Sequence, residues 1–250
     1  MASPDKRSFF RAADAGYWLL VGYYYLTYCG FPVFAARGAW PFVPFAGMLE
    51  NVRWLAYPLA LVLAVAPLGV LFPRARRWAA GMTGAGLWLF VLGSQAFYTT
   101  ATLALGAIFL VAGLARNVPR ALRWQLALIY AAAGLNKVLD PAWWTGEYFR
   151  AFAATFASDY NPVLAWAGRT DWAVMLLSGY TIVTELLLLP TLLIFVRRPR
   201  YLWWVGGTLH VGMLLLTLGR LSWHYLFVML GAYLLITYDK GARPRVHAER

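Results

Sequence analysis

An all-α, polytopic membrane bundle is the fold class this sequence predicts, and three observations carry the prediction. Hydrophobic residues make up 62% of the 250 and charged residues only 13%, where a soluble domain carries about a quarter. The apolar residues lie in runs of roughly 17–25, the length that crosses a hydrocarbon core about 30 Å thick. The Lys and Arg behind the net charge of +12 cluster in short loops between those runs. That pattern sets membrane topology and argues against nucleic acid as a partner.

Eight spans follow in order, at about 15–36, 54–72, 78–95, 98–115, 122–139, 172–196, 201–219 and 221–238. The first follows Lys6, Arg7 and Arg11 and carries Tyr23-Tyr24-Tyr25. It is too long for a signal-peptide core and reads as retained. The stretch from Trp78 to Ala115 exceeds one helix, and its polar break is Gly93-Ser94-Gln95. Spans seven and eight meet in a tight hairpin at Gly219-Arg220-Leu221-Ser222. With eight spans and both termini cytoplasmic, sixteen of the 22 basic residues fall inside. Arg37, Arg53, Arg150, Arg169 and Arg220 fall outside. The charge bias therefore predicts a multi-pass protein of the plasma membrane. Trp143, Trp144 and Trp172 at outer span ends, and Trp78, Trp124 and Trp204 at inner ones, read as interfacial anchors.

The longest connection runs from about Asp140 to Asp171. Within it, Glu147 to Phe152 reads as a short amphipathic helix on the membrane surface, and Asp171 as the N-cap of the sixth span. A single domain with no soluble part and no internal repeat is expected. Cys29 alone excludes an internal disulfide, a CxxC pair and a cysteine-rich metal site. No HExxH, GxSxG or P-loop spacing occurs, so no metal is expected.

Ionisable side chains inside apolar spans are expensive, and they mark sites. Four stand within or at the edge of spans: Lys137, Glu185, His210 and His224. Topology puts Lys137 near the outer end of the fifth span, with Glu185 and His210 near the middle of the sixth and seventh. Glu185 shares a face with Ser178 and Thr181, and His210 with Gly206, Gly207, Met213 and Thr217. The expectation is a Glu185–His210 pair, either fixing helix packing or serving a functional interior. Lys137 has Tyr130 and Gly134 on its face and Asn136 beside it. It either snorkels to headgroups or, held partly desolvated, acts as a general base. His224 reads as interfacial and His247 as solvated in the basic tail.

The string Tyr130-Ala131-Ala132-Ala133-Gly134-Leu135-Asn136-Lys137, with Trp143 and Gly146 after it, resembles the HTTM membrane domain. That is the family of the vitamin K-dependent gamma-carboxylase. The similarity continues through Glu185-Leu186-Leu187-Leu188-Leu189-Pro190, a basic turn, and His210 with Gly212. In that family the lysine matching Lys137 is the base that deprotonates vitamin K hydroquinone. Oxygen then converts the quinol to an epoxide through a strongly basic alkoxide. The resemblance implies a lysine base at Lys137, with His210 and Glu185 as an orienting or proton-relay pair. Tyr130, Gly134, Asn136 and Trp143 would line the substrate. Vitamin K hydroquinone or menaquinol would be the cofactor, drawn from membrane lipid. The chain carries no large extracytoplasmic region for capturing peptide, and one residue is inserted between Lys137 and Trp143. Quinol chemistry is thus implied without peptide carboxylation. The same short string occurs in DoxX-like proteins, so a non-catalytic subunit with a redox partner protein is the alternative. A small transporter is the third.

Overall fold

The computed structural model describes residues 12–28, 56–93, 100–156, 161–196, 199–216 and 223–238. Cys29, Arg37, Arg53, the break at Ser94-Gln95, the Gly219–Ser222 hairpin and His247 lie outside the described residues. Every described element is helical, as expected of the all-α class. They are α1 (Ala12–Tyr28), α2 (Ala56–Gly69), α3 (Arg76–Gly93), α4 (Thr100–Leu114), α5 (Val118–Leu139), α6 (Pro141–Trp144), α7 (Glu147–Phe156), α8 (Pro162–Arg169), α9 (Asp171–Phe195), α10 (Pro199–Leu216) and α11 (Trp223–Tyr238).

Among the described residues, one helix is long and apolar enough to cross a membrane, α9, with a mean hydropathy of 1.7 over its apolar window. Shorter apolar helices cover Pro58–Gly69, Ala101–Leu114, Tyr201–Leu216 and Trp223–Thr237. Several of the eight expected spans run at one end into residues not described. The fifth carries Arg123, Gln125, Asn136 and Lys137 among its apolar residues.

Two compact units divide the chain: residues 1–121 with 227–250, and residues 122–226. In the first, α3 and α4 approach backbone to backbone. A Cβ on Gly84 would stand 2.5 Å from the Leu110 nitrogen, so only glycine permits that crossing. Pro67 stands inside α2 and brings no N–H for the carbonyl four residues back, that of Leu63. The Tyr24 hydroxyl from α1 donates to that carbonyl at 2.6 Å, and Tyr25 donates to Ala64 O at 2.7 Å. Arg76 is tied down by Asp14 at 2.8 Å, by the Val70 carbonyl at 2.9 Å and by the face of Tyr17.

In the second unit, α7 packs on α8 and on the N-terminal half of α9. Phe149 of α7 joins Trp143 of α6 and Val174 and Ile182 of α9 in a buried cluster. The amphipathic helix expected on a membrane surface thus turns part of its apolar side to protein. Asp171 is not the N-cap of α9: Thr170 holds that position, and Asp171 in the first turn pairs with Arg150 at 2.6 Å. At the other end of α9, Arg123 donates to the Leu193 and Val196 carbonyls, which have no partner within the helix.

Candidate functional site: a lysine and a glutamate where two helices touch

The site begins with a sharp stop. Asp140 is extended and its carboxylate accepts the Ala142 N–H, while Pro141 starts a new helix that α5 cannot continue into. The one-turn helix α6 then folds the chain back. Trp144 donates its indole N–H to the Val138 carbonyl at 2.7 Å, one of the orphan acceptors at the end of α5. Gly146, with φ +73, turns the chain into α7, a conformation that side-chain-bearing residues rarely adopt. The result sets Trp143 over the last turn of α5, its ring centroid 4.9 Å from Lys137 Nζ.

The partner surface comes from α9, where the helix widens. Residues 184–188 form a π-helical turn, and the Leu189 N–H reaches back five residues to Thr184. Pro190 brings no N–H, so the Leu186 carbonyl four residues back receives none from it. Against this turn lies Gly134 of α5. A Cβ there would stand 2.6 Å from the Leu186 nitrogen and 2.7 Å from its Cα. Backbone cannot move aside as a side chain tip can, so α5 and α9 meet here because position 134 is glycine.

One turn beyond Gly134, Lys137 Nζ donates to Glu185 Oε2 at 2.5 Å and to the Ala133 carbonyl at 3.4 Å. The two side chains retain 17% and 14% of their exposure. An ammonium so placed is balanced by a carboxylate, a carbonyl and an aromatic face, which is what a charge in an apolar wall requires. Tyr148 stacks on Trp143 with centroids 4.0 Å apart. Burial first, then the Glu185 and Asp140 carboxylates, push the Tyr148 phenol above its ordinary pKa.

The expected Glu185–His210 pair does not form. Glu185 pairs with Lys137, and His210 pairs instead with Tyr130, whose hydroxyl lies 2.7 Å from Nε2. Both members of that second pair are deeply buried, Tyr130 at 2% and His210 at 6% exposure. Sharing a face of α9 with Ser178 and Thr181 does not tell Glu185 which helix it meets, and the end of α5 lies beside the middle of α9. Trp143 is buried against the lysine, where an indole anchoring to headgroups would be open to its surroundings. Gly134 meets backbone, and Asn136 is exposed, on another face from the pair. His224 packs against its neighbour Trp223, ring centroids 3.6 Å apart and planes tilted by 33°.

Two groups near the site gave no sequence signal. Tyr225 places its ring 5.5 Å from His210. Nothing in Trp223-His224-Tyr225 separates it from the other fourteen tyrosines. Thr184 is fully buried with a hydroxyl that has no hydrogen-bond partner, and the Ser178 hydroxyl is in the same state. Among the described residues no cluster of three or more His, Cys, Asp or Glu could hold a metal ion. Comparison with protein-family models, curated proteins and solved structures finds no match for this chain.

Proposed function

We propose that this is an eight-span membrane protein of the plasma membrane, both ends cytoplasmic, related to the HTTM family, and that it deprotonates a lipid-soluble quinol through Lys137. The observation that carries the reading is the Lys137–Glu185 pair held under Trp143 where α5 and α9 touch. The membrane setting is supported by α9, whose outward face bears Trp172, Leu176, Val183, Leu187 and Phe195 while Ser178, Thr181 and Thr184 are buried. A helix in water has the reverse arrangement. Helix α2 repeats the pattern with Leu61, Val65 and Leu68 outward.

An ammonium cannot accept a proton, so the lysine and glutamate must act as a unit. Glu185 takes a proton from Lys137, so that a neutral carboxyl and a neutral amine stand where two charges stood. The freed amine then takes the proton of a quinol hydroxyl, leaving a quinolate beside a restored ammonium. The quinolate is the species that an oxidant such as oxygen attacks. The test is to incubate the purified protein with menaquinol or vitamin K hydroquinone and oxygen, following loss of quinol. Lys137→Ala should lower turnover by about 10²–10⁴-fold, the usual contribution of a general base. If the variant consumes quinol as fast as the wild type, the base assignment fails.

A second reading has its own observation. The pair satisfies its own charges, and the Gly134–Leu186 contact beside it is a packing device. Both suit a DoxX-like subunit that organises a complex with a redox partner. Co-purification of a stable partner, with no quinol turnover by the chain alone, would favour that reading.

A further inference from the structure

We propose that the end of the first unit where α3 begins and α4 ends binds a phospholipid with an anionic headgroup. The inference rests on the membrane setting proposed above and is independent of the quinol chemistry.

Five arginines stand among the described residues of that unit, Arg74, Arg76, Arg77, Arg116 and Arg120, and all lie at this end. Among the same residues Asp14 is the one acidic side chain, and Arg76 already pairs with it at 2.8 Å. Arg74, Arg77, Arg116 and Arg120 are exposed, and no carboxylate among the described residues pairs with them. Nor do the charges serve their own helices. Arg76, Arg77 and Arg120 stand in the first turns of α3 and α5, where the helix dipole favours anions.

Packing fixes where the charges stand. A Cβ on Gly113 of α4 would lie 2.9 Å from the Arg77 carbonyl oxygen, so α4 ends against the first turn of α3. Arg77 Nε donates to the Gly113 carbonyl at 3.4 Å, which leaves the two terminal nitrogens of its guanidinium for another acceptor. Arg116 follows Gly113 by three residues, so their Cα atoms are at most about 11 Å apart. Membrane orientation asks for arginines in a loop, but not for one fastened to a particular carbonyl. A guanidinium held in this way suits the oxygens of a phosphodiester.

An apolar lane starts beside the charges. On α3, Trp78, Met82, Ala85 and Leu89 are exposed at spacings of four, three and four, along one face. Trp78, the neighbour of Arg77, is 82% exposed. From Trp78 to Leu89 the rise is about 16.5 Å, close to one leaflet of a hydrocarbon core about 30 Å thick. A headgroup at Arg77 and Arg116 therefore sets an acyl chain along that lane. Charge then selects the headgroup. Phosphatidylglycerol brings a phosphodiester alone, whereas phosphatidylcholine adds a quaternary ammonium that four uncompensated arginines repel.

The experiment titrates the full chain in detergent with phosphatidylglycerol or phosphatidylcholine of identical acyl chains, counting bound lipids by native mass spectrometry. Wild type should bind the first phosphatidylglycerol about tenfold or more tighter than phosphatidylcholine. Arg116→Gln should cut that ratio about fivefold, the worth of one basic residue near a membrane surface. Arg77→Lys keeps the charge but loses the Nε bond and the planar fork, and should cut the ratio as well. Arg150→Gln, in the other unit, should leave it unchanged. If Arg77→Lys matches wild type, or Arg150→Gln loses as much as Arg116→Gln, the arginines act as diffuse charge and the site is wrong. If wild type binds both lipids alike, the site falls whether or not any variant folds, and the membrane reading stands. If soluble glycerol phosphate displaces the bound lipid, the arginines read a free phosphate ester and the lipid assignment falls. If alkaline carbonate strips the chain from membranes, the membrane setting fails and takes the site with it.

Discussion

Pro67 and Pro190 interrupt two apolar helices, one in each unit, and the chain treats the two defects differently. At Pro67 the carbonyl deprived of its donor is sealed from the neighbouring helix by Tyr24, with Tyr25 covering the next carbonyl. The repair is neutral and complete. At Pro190 the helix widens into a π turn instead, and the polar groups gathered there are a carboxylate, an ammonium and an unpartnered buried hydroxyl. In an apolar surround a broken helix must recover its hydrogen bonds from neighbours. A seal suffices for that, so charges at the second break ask for a further reason. Interruptions of the π type also concentrate at functional sites.

The largest effects should come from splitting the charged pair. Lys137→Met or Glu185→Leu alone leaves one charge uncompensated and should lower stability by about 2–4 kcal/mol, below the cost for a fully buried pair because some exposure remains. The double variant should return to within about 1 kcal/mol of wild type, since apolar groups of similar volume replace both charges. Its quinol turnover should stay lost. Thermal unfolding in detergent with parallel activity assays reads both, and a double variant that is stable and fully active would make the second break as structural as the first.

Next comes the contact that brings the pair together. Gly134→Ala puts a methyl against the Leu186 backbone and should cost about 1–3 kcal/mol by overpacking. It should also reduce turnover, because separating α5 from α9 lengthens the Lys137–Glu185 bond. Tyr24→Phe in the other unit leaves the Leu63 carbonyl without its hydroxyl donor and should cost about 1–2 kcal/mol. Turnover per folded molecule should not change. If Gly134→Ala and Tyr24→Phe alter activity equally, the contrast between a sealed break and a working one is lost.

These contrasts were only partly legible in the sequence. The helical class, and the choice of Lys137, Glu185 and His210 among the 250 residues, followed from the cost of polar groups in apolar runs. Their pairing did not follow. Periodicity says which residues share a face of one helix, not which helix that face meets. Depth was then inferred from span ends, which put Lys137 at an edge and Glu185 in a centre. From Asp171 to Glu185 is a rise of about 21 Å, so depth read from span ends gives no sign that the two meet. Asp140-Pro141 was a readable stop for α5, but where the chain goes after a stop depends on packing that involves Trp143, Phe149, Val174 and Ile182 together. Tyr24 was visible only as one of three adjacent tyrosines. Its use depends on the Leu63 carbonyl, which Pro67 leaves without a helical donor.

The smallest expected effect has the opposite sign. The Thr184 hydroxyl is fully buried with no partner, at the head of the π turn. A hydroxyl left so costs its own desolvation and gains nothing in return, in contrast to the Tyr24 hydroxyl, which seals a carbonyl. Thr184→Val keeps the shape and removes the oxygen, so stability should rise by up to about 1 kcal/mol, read as a higher Tm. The informative companion measurement is quinol binding. Were the hydroxyl a flaw in packing alone, affinity would be untouched and the gain in Tm would stand by itself. If the ligand supplies the missing partner, Thr184→Val should weaken the quinol several-fold while stabilising the empty protein. That split marks the second break as kept unsealed for a ligand.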